Sequence, residues 1–162
     1  MQPKWRLSHA QGYLSLGMVA EAAAELEQIP EPERDEPAVL ALRVAVLQER
    51  CEWPALRALA GEFVRRAPAE AAGWITWAYA TRRSESLVAA EKILLDAERL
   101  HPKEATIQFN LGCYAAQRGA LAEARRRVDR AIALDKKFAD LAATDPDLEP
   151  LRAAHPDCQS GG

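Results

Sequence analysis

Apolar residues recur at three- to four-residue intervals along most of the chain, and the same stripe returns every 34 residues. Proline marks the period first: Pro3 and Pro37 are 34 apart, and so are Pro68 and Pro102. Framed this way, residues 3–36, 37–70, 71–104 and 105–138 make four periods whose equivalent places can be compared. The eighth place reads Ala10, Val44, Ala78, Gly112 and the twentieth Ala22, Leu56, Ala90, Ala124, small in three periods of four, as a close helix-helix approach requires. Apolar residues return at the seventeenth place (Val19, Trp53, Leu87, Leu121), the twenty-fourth (Leu26, Ala60, Leu94, Val128) and the twenty-seventh (Ile29, Phe63, Ala97, Ala131). The fifteenth place holds Gly17, Cys51, Glu85 and Gly119, and its two glycines suit a turn with left-handed backbone geometry. Each period therefore predicts helix, turn, helix.

Boundaries follow from capping chemistry. Pro3, Pro37, Pro68 and Pro102 are expected at first helical positions, where a missing N–H costs nothing, and Glu70 and Glu104 then suit the helix dipole. Pro30 and Pro32 end a helix early and leave a Pro/Glu-rich connection over 30–36. The period stops after residue 138, and Thr144-Asp145-Pro146-Asp147-Leu148 reads as the capped start of one short helix running to about Ala154, closing the open end of the stack. The expected organisation is one domain over residues 1–156, with the cap in 139–156 and a flexible tail over 157–162. At the amino end Trp5 and Leu7 belong to the first helix itself, leaving an apolar face open to a partner or to the first residues of the chain.

The pattern resembles the tetratricopeptide repeat over about residues 3–138. Leu111-Gly112, Gly119, Ala124, Val128, Ala131 and Asp135 stand at that family's spacing in the fourth period, with Lys136 where its proline is usual; Trp74, Ala78, Ala90, Leu94, Ala97 and Pro102 do so in the third, and Ala10, Tyr13, Gly17, Ala22 and Leu26 in the first. The second departs: Val44 and Leu56 are large where small residues are usual and Ala60 is small where a large one is, a volume exchange that cores tolerate. The resemblance implies an all-α solenoid of four antiparallel helix-turn-helix repeats with a short C-terminal capping helix. It also implies a non-catalytic scaffold that binds a peptide or helix of a partner protein in a groove lined by the first helix of each repeat. Carried over place by place, that groove holds Lys4, Leu7, Gln11, Gln48, Ile75, Tyr79, Arg82, Phe109, Asn110, Cys113 and Gln117. An apolar anchor is expected near Ile75, Tyr79 and Phe109, with an acidic group near Arg82 or Arg83, the residue types that dominate interface energetics. Some members clamp chaperone carboxylates with a lysine and two asparagines. Here Leu7 and Gln11 occupy the first-period places and only Asn110 matches, which argues against that role.

Composition supports the helical reading, with 33 alanines against 12 valines and isoleucines, and 49% hydrophobic against 28% charged residues describe a folded chain. A net charge of −3 provides no global field for phosphates, so nucleic acid is not an expected partner, and no run is apolar enough to span a membrane. Cys51, Cys113 and Cys158 are odd in number and far apart, which suits a reducing cytoplasm rather than a disulfide framework or a zinc site. His9, His101 and His155 lack ligand spacing, and no phosphate loop or nucleophile elbow occurs, so neither metal, cofactor nor enzymatic activity is expected. Asp145, Asp147 and Glu149 are read as helix capping. Arg125, Arg126, Arg127 and Arg130 form the strongest basic run, read as a solvated helix face, with nucleic-acid binding as its alternative. Opposite it stands an acidic stretch from Glu21 to Glu36, a charge asymmetry compatible with weak head-to-tail self-association. Size and repeat content also allow a small chaperone for an export or assembly substrate.

Overall fold

The computed structural model describes residues 2–154. Helices α1 (Pro3–Ser15), α2 (Val19–Glu27), α3 (Glu31–Arg34), α4 (Pro37–Glu49), α5 (Trp53–Arg66), α6 (Ala71–Ser84), α7 (Leu87–Leu100), α8 (Ala105–Gln117), α9 (Leu121–Leu134), α10 (Phe138–Thr144) and α11 (Glu149–Ala153) follow in order, with a 3-10 turn at Pro146–Leu148 before α11. No strand occurs among the described residues. The chain divides into two compact units, Met1–Glu85 and Ser86–Gly162, with the boundary between the two helices of the third period. Periodicity alone carries no sign of that division, and the sequence reading treats 1–156 as one domain.

Three of the interhelix turns close in the same way. Met18 N–H donates to Tyr13 O and Gly17 N–H to Leu14 O, and the same two bonds form from Glu52 to Leu47 and Cys51 to Gln48, and from Ala120 to Ala115 and Gly119 to Ala116. This is the Schellman closure, which puts the residue after the helix in the left-handed region. Gly17 (φ 73°) and Gly119 (φ 80°) adopt it without strain, and Cys51 (φ 54°) adopts it with a side chain. The third period needs no such residue: α6 runs to Ser84, Glu85 has φ −136°, and the Ser86 hydroxyl caps α7 by accepting from Ala89 N–H at 3.1 Å.

The prolines divide into two kinds. Pro3 and Pro37 begin α1 and α4 as expected. Pro68 and Pro102 correct the sequence reading: they lie in the connections three residues ahead of α6 and α8, which start at Ala71 and Ala105. Glu70 and Glu104 are the residues that precede these helices, and the Glu104 carboxylate accepts from Thr106 N–H at 3.3 Å.

In the first unit a core of Ala10, Ala22, Leu26, Ile29, Val39 and Val46 is flanked by Leu7, Tyr13, Leu14 and Leu42. Farther along the unit, Leu56, Leu59, Ala60 and Val64 of α5 are buried, and the close approach of α6 is made possible by glycine. A Cβ on Gly61 would lie 3.1 Å from the Trp77 ring, and one on Gly73 2.6 Å from Phe63 Cδ1. In the second unit Leu94, Ile107, Leu111 and Val128 are buried, and a Cβ on Gly112 would meet Val128 Cγ2 at 2.9 Å and Ala124 O at 3.3 Å. The small residues at the eighth and twentieth places of the fourth period thus do form one contact.

The C-terminal cap is built from more pieces than the single helix expected. Asp145 accepts from Asp147 N–H at 2.9 Å, as a cap should, but it opens a 3-10 turn, and α10 precedes it. Phe138, Leu148 and Leu151 are buried where these elements pack on α8 and α9. His155, Cys158 and the tail read from 157–162 lie outside the described residues.

Polar pairs recur at the fourth and twenty-third places of the periods. Arg6 Nη1 donates to Glu25 Oε2 at 3.0 Å between α1 and α2. In the fourth period the same places hold Gln108 and Arg127, and in the second Leu40 and Leu59, both buried. Gln108 is 0% exposed; its Nε2 donates to Glu98 Oε1 at 2.7 Å and its Oε1 accepts from Arg127 Nη1 at 2.9 Å, while Arg127 also pairs with Glu98. Burial raises the pKa of Glu98, but the hydrogen bonds from Arg127 and Gln108 and the charges of Arg127 and Arg130 outweigh it, so its carboxyl titrates below the ordinary glutamate range.

Candidate functional site

Helix α6 presents the residues on which the groove expectation rests most heavily. Tyr79 is 37% exposed, Ile75 and Arg82 are half-buried, and Arg83 is exposed. One turn separates Tyr79 from Arg83, so the guanidinium folds back: Nη2 donates to the Tyr79 hydroxyl at 2.9 Å and its carbon stands 5.0 Å from the Tyr79 ring centroid. The same guanidinium lies 5.2 Å from the ring of Trp53, which opens α5 and meets Tyr79 edge-on at 5.5 Å. The result is a surface stack of two aromatic rings and a cation, apolar on its faces and hydrogen-bonding at its rim. The sequence reading names Tyr79 and leaves Arg82 and Arg83 as alternatives; it assigns Trp53 only to the helix stripe.

Other expected groove residues of the first unit lie apart from this stack. Lys4 and Leu7 line a cavity of about 270 Å³ at the amino end with Gln2, Glu33, Glu36 and Val39. Trp5 is 62% exposed beside His9, and Leu7 is half-buried. Gln11 and Gln48 are exposed on α1 and α4.

The second unit corrects part of the list. Phe109 is only 5% exposed, with its ring 4.9 Å from Phe138, and Cys113 is 4% exposed. Both are covered because the cap folds onto α8, removing the face on which a groove would need them. Asn110 is half-buried, and the Gln117 Nε2 donates to Asp147 O at 2.9 Å, so this side chain also holds the cap. The Cys113 sulfur and the carboxylates of Asp145 and Asp147 lie within 4.8 Å of one another, an arrangement that the capping role of Asp145 already explains.

The arginine run on α9 is not a uniform basic surface. Arg127 is committed to Glu98 and Gln108, and Arg130 Nη2 donates to Pro102 O at 3.0 Å. Arg125, Arg126 and Arg130 are exposed. Cys51 is exposed and Cys113 is buried. Among the described residues no helix is long and apolar enough to cross a membrane.

These features define a helical-repeat protein with the tetratricopeptide-repeat fold. The chain is similar over 98% of its length to MamA 41-end from Desulfovibrio magneticus RS-1, with 16% identity, a TM-score of 0.76 and 88% of that chain covered. It is similar to TTC0263, a thermophilic TPR protein of Thermus thermophilus, with 19% identity, a TM-score of 0.68 and coverage of 96% of this chain and 89% of the other. YrrB, described as a TPR protein with an unusual peptide-binding site, aligns with 13% identity, a TM-score of 0.66 and coverage of 95% and 87%. No protein-family model matches the chain, and no curated protein matches it.

Proposed function

We infer that the protein is a non-catalytic interaction scaffold that holds a peptide or helix of a partner protein against the α6 face of its first unit. The observation that carries this reading is the surface cluster of the half-buried Trp53 with the exposed Tyr79 and Arg83. Rigid aromatic rings and arginine supply large contact area at small entropic cost, and they are the side chains that alanine scanning most often finds decisive at interfaces. The likeness to repeat proteins, one of them described as binding a peptide, supports the same class. A partner segment with an apolar anchor over Ile75 and Tyr79 and an acidic group at Arg82 or Arg83 suits this chemistry.

The test is capture from a host lysate by the wild type and by the Tyr79→Ala/Arg82→Glu variant, with proteins identified by mass spectrometry and both baits shown to be folded by circular dichroism. A protein held by the wild type and lost by the variant, whose derived peptide then shifts the Tyr79 ring signals in NMR titration, is the expected result. Identical capture by both baits removes the α6 face from the function.

A further inference from the structure

A second cavity in the first unit, about 190 Å³ in volume, is lined by α2, α3 and α4 and is separate from the α6 stack. Its apolar wall is Ala23 and Leu26 of α2 with Val46 and Leu47 of α4. Three arginines face the same space, and they differ in their commitments. Arg34 Nε donates to Ile29 O at 2.7 Å, its Nη2 to Glu27 O and its Nη1 to the Glu31 carboxylate at 2.9 Å, so it serves as the C-terminal cap of α2. Arg50 pairs through Nε with Glu52 at 2.9 Å. Arg43 is half-buried and, among the described residues, makes no hydrogen bond or ion pair.

An unpaired guanidinium beside an apolar wall restricts what can enter. An occupant bringing only an apolar group would cover Arg43 without a partner and incur the cost of a stranded charge. One bringing only a carboxylate would leave the half-buried Ala23 and Leu47 in contact with water. We propose that this cavity receives an acidic-apolar segment of a partner protein, in which one aliphatic side chain packs on Ala23 and Leu47 above the buried Leu26 and Val46 and the side-chain carboxylate of a neighbouring Asp or Glu pairs with Arg43. The planar fork of Arg43 matches a carboxylate in two parallel hydrogen bonds. This site lies outside the α6 face, and its occupation does not depend on that face.

The probe is the capped peptide acetyl-Ser-Asp-Leu-Asp-Ser-amide, titrated into the full chain and read from the Arg43 side-chain N–H and the methyl signals of Leu26, Val46 and Leu47. The expected result is saturable shifts at these four residues, weakened about tenfold or more when Asn replaces Asp in the peptide or in Arg43→Gln, and unchanged in Tyr79→Ala. The Asn peptide uses the wild-type protein and so decides the question even where Arg43→Gln fails to fold. Equal binding of the Asn peptide, or no shift up to about 1 mM peptide, overturns the proposal. Binding confined to a peptide with a free carboxy terminus assigns the cavity to chain ends and overturns it too. An Arg43-dependent dimer of the wild type, seating the exposed Asp140 and Leu141 of a second copy, overturns the assignment to a partner protein.

Discussion

Replacing Gln108 by leucine is expected to destabilise the second unit by about 1–3 kcal/mol at neutral pH. The side chain is fully buried and makes two hydrogen bonds, each to a charged group: to Glu98 at 2.7 Å and from Arg127 at 2.9 Å. Hydrogen bonds of that kind contribute roughly 1.5–3 kcal/mol each when nothing replaces them. Two effects offset the loss. Glu98 and Arg127 keep each other, and their side chains stay 25% and 17% exposed, so water can reach part of the vacated positions. Leucine also buries apolar surface that glutamine does not. The penalty must also depend on pH. Because the Glu98 carboxyl titrates below its ordinary range, its contribution is complete above about pH 5 and is lost as pH falls through its lowered folded-state value. Removing Gln108 removes one cause of the lowering, so the gap between wild type and variant should narrow on acidification. All four tryptophans, Trp5, Trp53, Trp74 and Trp77, lie in the first unit, so urea titration by fluorescence reports on that unit, while hydrogen exchange at the α8 amides reports on the second. A gap in α8 protection that stays constant or widens toward acid would refute the reasoning, as would a variant at least as stable as wild type.

Other substitutions test the fold at single contacts. Gly112→Ala should cost about 1–3 kcal/mol by thermal or urea melting, because its Cβ would press on Val128 Cγ2 at 2.9 Å and Arg127 Cβ at 3.2 Å; a neutral result would mean that α8 and α9 can separate freely. Cys51→Gly should stabilise the first unit by about 0.5–1 kcal/mol, since relief of the left-handed strain exceeds the added freedom of the unfolded chain, and a loss of stability in urea would count against the strain. Ser86→Ala should lose about 1 kcal/mol through the missing α7 cap, seen as faster exchange of the Ala89 amide, and unchanged exchange would show the cap to be idle.

The contacts that repeat were legible in the sequence, and those made once were not. Small residues at the eighth and twentieth places announced the approach of α8 to α9, and Gly17 and Gly119 announced two turns because backbone geometry selects glycine there. Cys51 was readable only by its place, since no side-chain preference marks it as left-handed. Pro68 and Pro102 share the 34-residue spacing of Pro3 and Pro37, so spacing alone could not tell a connection from a helix start. Phe109 and Cys113 occupy groove places by periodicity, but Phe138, which packs on Phe109, is the last residue of the fourth period and the cap elements beyond it repeat nothing, so the frame does not forecast where a cap will settle. The Glu98, Gln108 and Arg127 network escaped for a related reason: the same two places carry an ion pair in one period, an amide and a guanidinium in another, and two leucines in a third, so comparing residue types conceals a shared position. The Arg43 cavity gave no motif at all, because an unpaired arginine is recognised only once every neighbour's commitments are known.

Those alternating pairs have a consequence for how the chain avoids tangling with itself. Helices with nearly interchangeable apolar stripes can dock on the wrong neighbour while folding, a characteristic failure of repeat chains. Here mispairings that involve the first or the fourth period are labelled. Docking α1 on α9 would bring Arg6 toward Arg127, and docking α4 on α2 in the register of a repeat would set Leu40 against the charge of Glu25. The fourth and twenty-third places therefore act as addresses written over a common hydrophobic script, and a chain assembled from four copies of any one period would lose them.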